Sequence, residues 1–140
     1  MKPFTCGFIG LGLIGGSLAK ALREKMPEAH LIAYDVDQAS LDLAVKEGVI
    51  NMTTSNIGDA FTDCDYIFLC APVAHNDENL HTLVKYIGPH TILTDVGSTK
   101  TGILKQIEEM NISDRFIGGH GPLVKFVRTF LYVSSRCKMA

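Results

Sequence analysis

The chain has 140 residues, 46% of them hydrophobic, and a formal net charge of -2. That suffices for one packed domain and is too nearly neutral to point to nucleic acid or to an anionic membrane surface as a partner. No apolar run approaches the roughly 20 residues of a membrane span, and Met1-Lys2-Pro3-Phe4 lacks the apolar core and cleavage site of a signal peptide, so a cytoplasmic location is expected. The cysteines at 6, 64, 70 and 137 show neither C-x-x-C spacing nor a histidine cluster beside them; no metal site and no redox pair is expected, and Cys6 and Cys70 read as buried thiols inside predicted strands.

Residues 4–22, FTCGFIGLGLIGGSLAKAL, read as strand, glycine turn and helix. Gly10, Gly12 and Gly15, with Leu11, Leu13 and Ile14 between them, have the G-x-G-x-x-G spacing of a dinucleotide site. The first glycine allows a tight turn, the second lets backbone approach a pyrophosphate, and the third lets the helix pack closely on the strand. The N–H groups and positive dipole end of the helix then face the phosphates. Ile14, Leu18, Ala21 and Leu22 follow helical spacing and form its buried face. A second apolar run, Leu31-Ile32-Ala33-Tyr34, ends in Asp35, 20 residues past Gly15, where the acid of such a fold accepts hydrogen bonds from the adenosine ribose. The rival reading is a purely structural turn followed by an ordinary loop acid.

Asp37 is then a helix cap, with Leu41, Ala44 and Val45 on one helical face and Gly48 as the C-terminal stop. A third strand is expected near 49–53 and a short helical turn or loop within 55–62. The run Tyr66-Ile67-Phe68-Leu69-Cys70-Ala71 has the continuous apolar character of a central parallel strand, stopped by Pro72. Residues 73–76 lead into a helix carrying Leu80, Leu83, Val84 and Ile87, ended by Gly88-Pro89. A fifth strand over 91–96, a turn at Gly97-Ser98-Thr99-Lys100, a helix with Ile103, Leu104 and Ile107, and a sixth strand over 115–118 follow. This alternation predicts an α/β fold, a doubly wound parallel sheet of Rossmann type in strand order 3-2-1-4-5-6, with its ligand across the carboxyl ends of the strands. Residues 10–15, Asp35, Ala71-Pro72-Val73, Gly97-Ser98 and His120 all follow predicted strands and are expected around one crevice.

The chain changes character at Gly121. Residues 121–140 contain Lys125, Arg128, Arg136 and Lys138 and no acid, whereas the first 120 carry a formal -6. Residues 123–133 are β-prone. The expected organisation is therefore a dinucleotide-binding domain over 1–120 and an atypical basic tail over 121–140.

GFIGLGLIGGSLAKAL at 7–22, AYDVD at 33–37, LCAPV at 69–73, DVGSTK at 95–100 and FIGGH at 116–120 resemble the prephenate and arogenate dehydrogenases of tyrosine biosynthesis over nearly all of residues 4–120. The resemblance implies oxidation of prephenate or arogenate by hydride transfer to NAD with loss of carbon dioxide. In that family the histidine of GGH, here His120, helps remove the proton of the ring hydroxyl, and the serine of DVGS, here Ser98, supports it. A neutral imidazole, with an ordinary pKa of about 6.5, suits that task. From the residues alone, Ser98 is equally a helix cap and His120 equally a loop residue. Asp35 would repel the 2′-phosphate of NADP, so NAD is the expected cofactor, held by residues 10–15, Asp35, Ala71, Pro72, Val73 and Gly97.

The family motif continues past GGH with a proline and small residues, where this chain has Gly121-Pro122-Leu123-Val124. The resemblance also implies a helical second domain that supplies a homodimer interface and a substrate-binding arginine. Neither is recognisable here, which leaves a truncated or frame-shifted product, or a short variant with a seventh strand, as readings of the tail, and a cofactor-binding module with little activity as the expectation for this chain. The alternative class is another Rossmann reductase, such as a β-hydroxyacid dehydrogenase, which shares the glycine fingerprint without the DVGSTK and GGH pair.

Overall fold

The computed structural model describes residues 4–70, 73–95, 108–110 and 116–118. The elements run β1 (Thr5–Ile9), α1 (Leu13–Lys25), β2 (His30–Tyr34), α2 (Gln38–Lys46), β3 (Met52–Thr54), a 3-10 turn (Asp59–Phe61), β4 (Tyr66–Leu69), α3 (Val73–Leu83), β5 (Ile92–Asp95) and β6 (Phe116–Gly118). All six strands join one parallel sheet in the order β3-β2-β1-β4-β5-β6, the doubly wound arrangement expected from the alternation of elements. The order reverses beside β1, so the switch point lies between β1 and β4. The register also makes the sheet end level: Thr54 pairs with Tyr34, Tyr34 with Ile9, Ile9 with Leu69, Leu69 with Asp95, and Asp95 with Gly118. Every strand therefore releases its chain at the same edge.

Side chains alternate across the sheet and are covered on both faces. On one, Cys6, Phe8, Leu31, Ala33, Tyr66 and Phe68 pack with Leu18 and Leu22 of α1 and Leu41 of α2. On the other, Ile9, Ile32, Ile67, Leu69 and Leu93 pack with Phe61, Leu80 and Leu83. Each fully buried Leu or Phe contributes about 1.5–3 kcal/mol of transfer free energy. Phe8 and Phe68, paired in register, stack at 5.2 Å between centroids. All four residues of β4 are buried, as its apolar run requires.

The helix faces differ in detail from the sequence expectation. In α1, Gly15, Leu18, Ala19 and Leu22 are buried while Ala21 is only half-buried, because Gly15 rolls the helix onto β1 and β4; the Ile14 side chain lies outside the described residues. In α2, Leu41 is buried but Val45 is 44% exposed. The helix ends with Gly48 at φ +76°, and Val49 N–H donates to Ala44 O (3.0 Å) while Gly48 N–H donates to Val45 O (3.0 Å). That double closure folds Val49 and Ile50 back against the core beside Ala44, the place Val45 was expected to fill. Strand β4 stops at Leu69, so Cys70 is half-buried just beyond it, although its N–H still donates to Ile9 O at 2.8 Å. Helix α3 begins at Val73 itself, with residues 73–76 inside it. The helix expected around Ile103, Leu104 and Ile107, and the tail over 121–140, lie outside the described residues; Glu108 and Glu109 are helical.

The opposite edge of the sheet is tied by Arg23. Its Nε donates to Val49 O (3.1 Å), its Nη1 to Pro27 O and Ala29 O (2.8 Å each), and its Nη2 to Asn51 Oδ1. Asn51 Oδ1 also accepts from Leu31 N–H at 2.9 Å. One guanidinium thus joins the end of α1 to the approaches of β2 and β3.

Candidate functional site

The turn after β1 is built from glycines with three different physical jobs. Gly10 has φ +94°, a conformation that a side chain disfavours, and its N–H continues the ladder to Tyr34 O at 2.8 Å. Gly12 caps α1, and its carbonyl accepts from Gly16 N–H at 2.8 Å. A Cβ placed on Gly12 would meet nothing within 4 Å, so backbone faces open space there. A Cβ on Gly15 would lie 2.6 Å from Gly10 O and 3.2 Å from the Cys70 Cβ, so helix and strand approach too closely for one. The first turn of α1 contains no acidic residue, and its leading N–H groups have no partner one turn earlier. An anion is favoured at such an end.

Asp35, half-buried directly after β2, is joined to this turn. Leu11 N–H donates to Asp35 Oδ2 at 2.7 Å, and Asp37 N–H donates to Asp35 Oδ1 at 2.9 Å. Asp37 in turn caps α2, accepting from Ala39 N–H (3.1 Å) and from Ser40 Oγ (2.8 Å). The structure thus brings together Gly10, Leu11, Gly12, Gly15 and Asp35; Leu13 and Ile14 form the first turn of α1, and Val73 opens α3. Ala71, Pro72, Gly97, Ser98 and His120 lie outside the described residues. Two further groups at this edge were not singled out from the sequence. Tyr34 acts through its carbonyl, which any residue supplies. Val36, 90% exposed between Asp35 and Asp37, presents an apolar surface at the same edge, and an apolar residue flanked by two acids in a turn is the trace it leaves in sequence.

Cys6 is remote from this edge, at the amino-terminal end of β1. Burial pushes its thiol well above the ordinary value, and the neighbouring Cys64 and Asp65 act in the same direction. Among the described residues no group of three or more His, Cys, Asp or Glu could hold a metal ion, and no helix is long and apolar enough to cross a membrane.

The family described as prephenate dehydrogenase, nucleotide-binding domain, matches residues 18–124. Prephenate dehydrogenase of Bacillus subtilis is 32% identical over 113 residues, 79% of this chain and 30% of that protein. Among solved structures, prephenate dehydrogenase of Aquifex aeolicus, in complex with hydroxyphenyl propionate and NAD+, superposes with a TM-score of 0.76 at 30% identity, covering 86% of this chain and 42% of that one. The arogenate dehydrogenase of Synechocystis gives a TM-score of 0.74 at 32% identity, covering 84% of this chain and 40% of that one. The chain spans between 30% and 39% of the length of the curated relatives it matches. On the match over residues 18–124, together with the sheet order and the turn geometry, the chain belongs to the nucleotide-binding domain family of the prephenate dehydrogenases.

Proposed function

We propose that residues 1–120 form the NAD-binding domain of a dehydrogenase that oxidises prephenate or arogenate with loss of carbon dioxide, residues 121–140 being a separate segment. The observation that carries this reading is the placement of Asp35 and the glycine turn at one level edge: a carboxylate bonded in place after β2, open space where a Gly12 Cβ would stand, and the N-terminal end of α1 beside them. From β2 to β6 the edge crosses four strand steps, roughly 19 Å at about 4.8 Å each, room for an extended two-nucleotide ligand. Residues 10–15 would hold the pyrophosphate, Asp35 the adenosine ribose, and Val36 would offer its apolar surface to the base. Ala71, Pro72, Val73 and Gly97, following β4 and β5 in sequence, would serve the nicotinamide half.

NAD accepts the hydride when bound. His120 would take the proton of the ring hydroxyl as hydride leaves the same carbon; loss of the carboxylate as carbon dioxide then leaves its electron pair to the ring, and the proton returns to the phenol oxygen. Ser98 would hold the imidazole. The relatives include both a prephenate and an arogenate dehydrogenase, so both substrates belong in the assay. The resemblance implies a family homodimer built through a helical second domain rather than through residues 1–120, and a cytoplasmic location, checked by sedimentation and fractionation.

The test is titration of the chain with NAD and NADP, with NADH formation from prephenate and from arogenate followed by absorbance. NAD is expected to bind more tightly than NADP, since a 2′-phosphate would meet the Asp35 carboxylate. Tighter NADP binding refutes the cofactor assignment. His120→Asn is expected to lower any turnover by about 10²–10⁴-fold with NAD affinity unchanged; an unchanged rate removes His120 from the mechanism.

A further inference from the structure

We infer that Asp35 is a positioning residue for the phosphate-binding turn, a strut that fixes the turn after β1 to the turn after β2 before any ligand arrives. This rests on the reading of the site as a dinucleotide site and adds to it a second task for the acid. Leu11 N–H reaches Asp35 Oδ2 at 2.7 Å and Asp37 N–H reaches Asp35 Oδ1 at 2.9 Å, one donor on each oxygen.

The turn needs such a restraint. Gly10 and Gly12 lose more conformational freedom on being fixed than any other residue type, a cost of about 1–2 kcal/mol per residue, and a turn ordered only by its ligand would subtract that from binding. Among the described residues, the bonds that anchor it to β2 and the residue after it are Gly10 N–H to Tyr34 O and Leu11 N–H to Asp35. The Leu11 side chain is 4% exposed, so the residue whose amide meets Asp35 is also the one seated in the core. A carboxylate has about four acceptor sites. Two are used by the protein, which leaves two for the adenosine ribose hydroxyls, so the strut and the ribose contact coexist.

The strut and a ribose-only role predict opposite signs for one measurement. Take ADP and 2′,3′-dideoxy-ADP, which differ in the ribose hydroxyls, and the variant Asp35→Ser. If Asp35 acts through the ribose alone, the variant binds the dideoxy ligand as well as the wild type does, or better, because a negative charge near phosphate has been removed. If Asp35 positions the turn, the variant binds the dideoxy ligand on the order of three- to tenfold more weakly despite the lost repulsion. For the same reason NADP affinity falls with NAD affinity instead of rising, so removing the charge does not by itself convert the site to NADP.

Amide hydrogen exchange on the ligand-free chain reads the strut directly. In Asp35→Ser the Leu11 amide is expected to exchange about tenfold faster while the β1 amides of Phe8 and Ile9 are unchanged, which separates a loosened turn from a loosened fold. Asp35→Asn, which keeps one acceptor oxygen, is expected to lie between the two. Unchanged or tighter dideoxy-ADP binding, or an unchanged Leu11 amide in both variants, overturns the inference. If the wild type binds neither nucleotide, the dinucleotide reading itself fails, and the Leu11 amide still decides whether the strut exists.

Discussion

Gly12 and Gly15 lie three residues apart in one motif, yet substituting each by alanine is expected to damage different properties. At Gly15 the new Cβ would sit 2.6 Å from Gly10 O, 3.2 Å from Cys70 Cβ and 3.4 Å from Gly10 C, against an ordinary separation of about 3.5–4.0 Å. Gly10 is pinned by its bond to Tyr34 O, and β1 lies inside the sheet, so α1 must back away. That displaces Leu18 and Leu22, which are 1% and 0% exposed. Over-packing costs about 1–3 kcal/mol, and the better helix propensity of alanine returns about 0.5–1 kcal/mol. The net loss, at most about 2.5 kcal/mol and about 1.3 kcal/mol at the middle of both ranges, corresponds at that middle value to a fall in Tm of roughly 4–5 °C for a domain of this size. At Gly12 nothing lies within 4 Å of an added Cβ, so Gly12→Ala displaces no neighbour and is expected to cost less stability than Gly15→Ala. Its Cβ would instead occupy the space proposed for the pyrophosphate, and NAD affinity is expected to fall at least about tenfold. Thermal unfolding followed by circular dichroism, then NAD titration well below both midpoints, separates the two. Equal loss of Tm in both variants, or Gly15→Ala melting with the wild type, would refute the packing argument.

Arg23→Ala leaves the carbonyls of Val49, Pro27 and Ala29 without the guanidinium donor and Asn51 Oδ1 with Leu31 N–H alone. It should cost about 2–3 kcal/mol in urea unfolding at unchanged m, with NAD affinity unaffected because the guanidinium lies at the far edge of the sheet; Arg23→Lys should recover little, lacking the planar fork. Asp37→Ala removes the cap of α2 and is expected to cost about 1 kcal/mol, read by the same titration. For Cys6 the folded-state pKa is raised, so the native chain holds this proton more firmly than the unfolded one. The associated stability is fully present below the ordinary thiol pKa of about 8.5 and is lost as the pH rises beyond it. Cys6→Ala should flatten the alkaline fall in unfolding free energy between about pH 8.5 and 10, and an identical slope in the variant would contradict the assignment to this thiol.

The parts of this fold that were legible in sequence are those in which a residue type answers a local demand. The buried run at 66–69 has no alternation because β4 is covered on both faces; Gly10 and Gly15 answer a positive φ and a close helix approach that a missing Cβ meets; Gly48 marks a positive φ. Helix faces were less legible, since a 3.6-residue period leaves the roll of a helix to its closest contact. The Gly15 approach to Gly10 turned α1 toward Ala19, and the chain reversal at Gly48 put Val49 and Ile50 where Val45 was expected. Least legible were groups whose partners are main-chain atoms. Arg23 bonds three carbonyls, and its sequence surroundings resemble any basic helix end. Asp35 combines both cases. Its spacing from Gly15 carries a ligand signal, whereas its bond to Leu11 N–H carries none, since every residue but proline offers that donor. The strand register connects the two roles: Ile9 pairs with Tyr34, so residues 10 and 11 leave β1 beside residue 35 as it leaves β2. An acid at that position, proposed to meet a ribose, is within reach of the turn amide as well, so the pairing that brings Asp35 to the proposed site also brings it to Leu11 N–H.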